Sequence, residues 1–185
     1  NTEETFQIGL KNAAEWKMLS DWVRYNPQRA SAFLTDANSK RTTILHKALM
    51  QRNVDDKSRL LLVNTVLEVC PQSARRANYH GSLPLHVAVR NSAKMNRKLK
   101  EHILIKLIKI YPDSLSLSDS SGNTPLHVAC EKWSCLDETQ MLVTFSSARQ
   151  RNKKGEMPLH VACRRRCSPE KLALLLRYNQ EAIFT

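Results

Sequence analysis

A chain of 185 residues, 42% hydrophobic and 25% charged, is long enough to bury a core and too apolar to remain disordered. Four glycines argue against a fold of tight strand turns, and an odd five cysteines exclude a disulfide scaffold. The formal net charge of +12 sits in two places: residues 90–109 hold seven Lys/Arg against Glu101, and 149–171 hold eight against Glu156 and Glu170, so each segment carries +6.

Free thiols imply a reducing, intracellular compartment, cytoplasm or nucleus. No apolar run approaches the ~20 residues that span a bilayer; the best, ILIKLIKI at 103–110, carries Lys106 and Lys109. The chain opens on Asn1 rather than Met, which leaves a targeting segment or further domains outside these residues open.

Taken in chain order, residues 3–30 predict a helix near ETFQIGLKNA and a second in AEWKMLSDWVRY, closed by NPQRA. RTTILHKA at 41 then predicts a short helix, and LLLVNTVLEVC a longer one ending at CPQSA (70–74). GSLPLHVA at 81 repeats the short helix, and ILIKLIKIY the long one, with Ile103, Leu104, Leu107, Ile108 and Tyr111 on one broad face. YPDSL (111–115) closes that unit, GNTPLHVA at 122 opens the next, and FSSA (145–148) ends it. GEMPLHVA at 155 opens the last, with Ser168-Pro169-Glu170 starting the helix LALLLRY. An Asx residue stands three positions before each turn's end: Asn38, Asn78, Asp119 and Asn152. Asx followed by Gly predicts tight turns. Each unit reads turn, short helix, loop, longer helix, extended return.

Four copies of this turn-plus-L-H-x-A string resemble the ankyrin repeat. The resemblance implies an all-α solenoid of stacked helix-turn-helix units across a single domain, 1–185. Its repeats fall at 3–35 (degenerate), 36–77, 78–118, 119–151 and 152–185. The sequence departs from the family at the Gly expected six residues past each His, where Arg52, Ser92, Trp133 and Arg166 stand. Arg41 replaces a turn Gly, and Leu83 and Met157 replace a capping Thr, at about 1 kcal/mol each. Two inter-helix connections, near 51–57 and 91–97, are lengthened, and KMNRKLK (94–100) reads as a basic loop and a secondary contact.

The segment GEMPLHVACRRRC raises two other chemistries. His127, Cys130, Cys135, His160, Cys163 and Cys167 are a candidate zinc set, and Arg164 to Arg166 would activate Cys167. Against both, the position three past each His is Leu49, Val89, Cys130 and Cys163. Leu and Val cannot replace a ligand, whereas a small buried apolar residue can be Cys. No phosphate-cradling loop, nucleophile elbow or paired carboxylates accompany these residues. The expectation is no enzyme, no cofactor and no metal.

The resemblance implies partner contacts at turn tips and at the exposed end of each short helix. By position the tips are Lys40, Tyr79, His80, Ser120, Ser121, Lys153 and Lys154. The helix positions are Arg90, Asn91, Glu131, Lys132, Arg164 and Arg165. The cationic bias toward the last unit predicts an adaptor or scaffold whose basic concave surface holds an acidic protein partner. The alternative is a nucleic-acid-associated or anionic-membrane-docking subunit using the same clusters. Nucleic acid is disfavoured because no aromatics interleave the cations, and membrane docking because ILIKLIKI is needed inside the core. No small-molecule substrate is expected.

Overall fold

The computed structural model describes residues 13–28, 42–51, 54–91, 95–132 and 135–179. Among them the chain is helical and without strands: α1 (Ala13–Tyr25), α2 (Ile44–Met50), α3 (Asp56–Val69), α4 (Pro84–Arg90), α5 (Arg97–Ile110), α6 (Pro125–Glu131), α7 (Leu136–Leu142), α8 (Phe145–Arg149), α9 (Pro158–Arg164) and α10 (Pro169–Tyr178). The helices form antiparallel pairs, α2 with α3, α4 with α5, α6 with α7 and α9 with α10. The first helices of the pairs stack in one row (α2, α4, α6, α9), and their partners in a second (α3, α5, α7, α10; α7 is no longer than the helices of the first row), with α1 against α3.

The short helices start where their sequence dictates. Pro84, Pro125 and Pro158 take the first position, where no amide partner is lost. Thr43 and Thr124 accept the amides of His46 and His127 as caps. Leu83 and Met157 supply no hydroxyl, but their backbone amides still donate to His86 Nδ1 (3.2 Å) and His160 Nδ1 (3.0 Å). Each helix is too short to stand alone. What holds it is burial of Leu45, Leu49, Leu85, Val89, Leu126 and Cys130, all at most 1% exposed, and about 1.5–3 kcal/mol accrues per large apolar side chain.

The histidines fasten successive pairs. With Nδ1 accepting a backbone amide, Nε2 carries the hydrogen and donates it to the next turn: His46 to Ser82 O, His86 to Asn123 O and His127 to Glu156 O, each at 3.0 Å. Burial depresses the pKa of all three, that of His86 to about 4. The neutral ring is therefore the structural one. No described residue lies over His160, which is exposed, as is Cys163 three positions on; Cys130 in the layer before is buried.

The turns form by one repeated device. Asn78 Oδ1 accepts from the amides of His80 and Ser82, Asp119 Oδ1 from Ser121 and Asn123, and Asn152 Oδ1 from Lys154 and Glu156, all at 2.9–3.0 Å. Each closes on a glycine at positive φ. At Gly81 and Gly122 a Cβ would also lie 2.7 Å from the backbone nitrogen of Ser120 or Lys153 in the next turn. The tips pack that closely because Ser120 N donates to His80 O (2.8 Å) and Lys153 N to Ser121 O (3.0 Å).

Three details differ from the sequence expectation. Pro71 and Pro112 do not lead into extended returns; they start 3-10 turns, Pro71–Arg75 and Pro112–Leu115, because proline at the first position suits a tight helical turn. FSSA belongs to the separate helix α8, capped by Thr144. The basic segment at 94–100 is not a free loop: Arg97 to Lys100 form the first turn of α5. Arg97 there pairs with Asp137, and Lys100, nearly buried, pairs with Glu138, so the expectation of a loop is corrected at these residues. Residues 92–94 lie outside the described residues.

The expected departure from glycine is visible at Arg166, which follows α9 at φ +53°. Cys167 N reaches back to Ala162 O and Arg166 N to Cys163 O, closing the helix as glycine ordinarily would. At the end of α2 the buried guanidinium of Arg59 instead donates to Ala48 O and Gln51 O, both at 2.8 Å. Arg52, Ser92 and Trp133 lie outside the described residues, as does Arg41.

Candidate functional site

The turn tips and the short helices enclose a groove of about 410 Å³. Its walls come from three consecutive layers. Arg90 of α4 enters from one side, the 119–123 turn and α6 form the floor, and the 152–156 turn and α9 form the far side. The Asx turns place the tips here: because Asn152 turns the chain back through two amides, Lys153 and Lys154 project beside Ser120 and Ser121. The histidine bond from His127 to Glu156 O fixes the distance between α6 and the next turn.

Of the residues expected from sequence, Arg90, Ser120, Ser121, Glu131, Lys132, Lys153, Lys154 and Arg164 line this one groove. Tyr79 and His80 form a neighbouring tip, their rings 3.6 Å apart and Tyr79 half exposed. Asn91 closes α4. Arg165 lies at the edge, paired with Glu131. Lys40 lies outside the described residues.

The groove's charge is more mixed than its cations alone imply. Arg164 spans two carboxylates, Glu156 at 3.0 Å and Glu131 at 3.3 Å. Arg90 reaches Asp119 at 3.2 Å. The Arg165 hydrogen bond holds Glu131 below the usual carboxylate pKa, and the Arg164 hydrogen bond does the same for Glu156. Arg151 is spent on Gly155 O at 3.0 Å. Among the described residues, the ammonium groups of Lys132, Lys153 and Lys154 have no ion pair within bonding distance; they are the cations left for a ligand. Exposed ion pairs such as those of Arg164 are weak and exchangeable.

Asn123 and Glu156, which follow the turns, were expected contacts and line the groove too; sequence reasoning missed Asn152, His127, Val128 and Val161. One signal was available: Glu131 and Arg164 stand 33 positions apart, one full repeat period, which puts them side by side on adjacent helices. Val128 and Val161 belong to the core beneath it and reach the groove only at its floor.

The metal and thiol chemistries find little support in the geometry. Both ring nitrogens of His127 are engaged by protein groups, and burial pushes the Cys130 thiol up to about 12. Cys167 is buried and its thiol points to Cys130 O at 3.7 Å. Among the described residues no three His, Cys, Asp or Glu side chains converge where a metal ion would fit. Nor is any described helix long and apolar enough to cross a membrane.

Residues 95–183 match the family model of ankyrin repeats, in three copies. No curated protein matches the chain.

Proposed function

Residues 95–183 belong to the ankyrin-repeat family, whose repeats are generally protein–protein interaction modules, and from that premise we propose that this chain is a non-enzymatic adaptor or scaffold that holds an acidic segment of a protein partner. The same reading extends the repeats toward the N-terminus, since His46 and His86 make the bonds that His127 makes.

The observation that carries the proposal is the meeting of Lys132, Lys153 and Lys154 in one groove with their charges unpaired. Carboxylates of a partner satisfy them directly, and the same groups compete with Glu131 and Glu156 for Arg164. The half-exposed Tyr79 of the Tyr79–His80 tip offers an aromatic anchor at one end. A peptide fits this mixture better than a nucleic acid. Among the described residues no row of aromatic rings interleaves these cations to stack bases. Five free thiols accord with a reducing compartment.

The test is capture by a labelled glutamate-rich peptide. K153E/K154E should lose at least tenfold in affinity, whereas K57E, on the outer helix α3, should lose less than twofold. Equal loss from both would remove the groove from consideration. A single-stranded RNA bound more tightly than the peptide at ~0.15 M salt, with a steep salt slope, would replace it with the nucleic-acid reading.

A further inference from the structure

The sequence contains two Ser/Thr-Pro steps, Thr124-Pro125 and Ser168-Pro169, and the fold separates them sharply. Thr124 is 0% exposed, and its hydroxyl is held by the His127 ring at 2.8 Å. No enzyme reaches it without unfolding the layer. Ser168 is exposed, as are Arg166, Pro169 and Glu170 around it. It stands in the connection between α9 and α10, where residues 165–168 are not helical. Its oxygen accepts the Lys171 amide at 3.5 Å, a long and weak cap. Neither this cap nor the exposed Glu170 side chain buries the hydroxyl. Lys171 and Cys167 are buried, so access needs only the first turn of α10 to fray, an opening that helix ends make at low cost.

We propose that Ser168 is a phosphoacceptor for a proline-directed protein kinase, read in the context Arg165-Arg166-Cys167-Ser168-Pro169. In the transfer, Ser168 Oγ attacks the γ-phosphorus of a nucleoside triphosphate bound by the kinase. The Oγ–P bond forms as the bond to the β,γ-bridging oxygen breaks, the nucleoside diphosphate leaves, and the hydroxyl proton passes to a carboxylate of the kinase. The product has a place to rest. The phosphate caps the amide end of the ten-residue helix α10, and Arg166, with no ion pair among the described residues, lies two positions upstream.

The consequence for the groove follows from charge, and this step rests on the function proposed above. A phosphoserine adds roughly −1.5 to −2 near pH 7, which takes the 149–171 segment from +6 to about +4. It also competes with Glu131 for Arg165. Attraction for an acidic segment falls accordingly.

The experiment incubates the full chain with ATP and a recombinant proline-directed kinase, then locates phosphate by mass spectrometry. One phosphate at Ser168 is expected, absent in S168A, retained in S168T, and at least tenfold slower in P169A. Circular dichroism of each variant separates lost recognition from lost fold. No phosphate at Ser168 in folded chain, or undiminished labelling of P169A, overturns the assignment. Binding of the glutamate-rich peptide is then compared before and after modification. A several-fold weakening is expected, and unchanged affinity overturns the regulatory role. Failure of the unmodified chain to bind that peptide sinks the groove reading and leaves the phosphoacceptor result standing.

Discussion

Acidification should loosen the stack through its histidines before it reaches the carboxylates. His86 Nδ1 accepts the Leu83 amide and Nε2–H donates to Asn123 O, so an imidazolium would turn a proton toward an amide hydrogen at a side chain that is 0% exposed. Its pKa falls from 6.5 to about 4. Because the folded value lies below the unfolded one, the unfolded chain takes up the proton first as pH drops. The contribution is complete above pH 6.5, declines toward pH 4, and changes no further below that. A depression of about 2.5 units amounts to about 3 kcal/mol, a large share of a marginal stability. His46 and His127 shift in the same direction, so the slope should exceed one proton. Glu131 and Glu156, held low by their arginines, lose their contribution only below about pH 4.5, which leaves pH 5–6.5 to the histidines. Urea unfolding at half-unit pH steps measures the slope, and H86Q should lower it by about one proton. Flat stability from pH 7 to 5, with the His86 ring titrating near 6.5 by NMR, would refute the bonding scheme.

Other substitutions test the remaining contacts. G155A and G122A share a positive φ, so both should lose about 1 kcal/mol, but only Gly122 faces the next turn's backbone at 2.7 Å and should lose roughly 1–3 kcal/mol more; equal losses in denaturant titrations would contradict the tip packing. R166G should gain about 1 kcal/mol by relieving the left-handed backbone, and a lower melting temperature would count against the strain. K100M strands the buried Glu138 carboxylate and should cost roughly 3–5 kcal/mol, most of it recovered in K100M/E138L. Simple additivity of the two single losses in a double-mutant cycle would show that the pair is not coupled.

Much of the fold was legible because its signals are local. Pro at the first helical position, Asx before Gly, and His three residues past the cap each act within one turn of chain, and the repeat prints the first two three times and the His four. The interchange of Leu49, Val89, Cys130 and Cys163 pointed to a buried position without coordinates; the first three are 0% exposed, but Cys163, in the last described layer, is exposed. The groove was legible in its cations and not in its balance. Glu131 and Glu156 read as isolated acids until stacking set them against Arg164 and Arg165. The loop expected at KMNRKLK gave way to helix at 97–100 for a related reason: Lys100 looks solvated in sequence, and its partner Glu138 lies one layer away.

What the linear chain settles here is periodic: where helices start, where turns close, and which residue types recur in the core. Only the stacked structure decides which charges cancel, because ion pairing depends on separations of a few ångströms between layers 33 to 41 residues apart. Packing between layers likewise decides which Ser-Pro or Thr-Pro step meets solvent: Thr124 is buried in the stack and Ser168 is exposed.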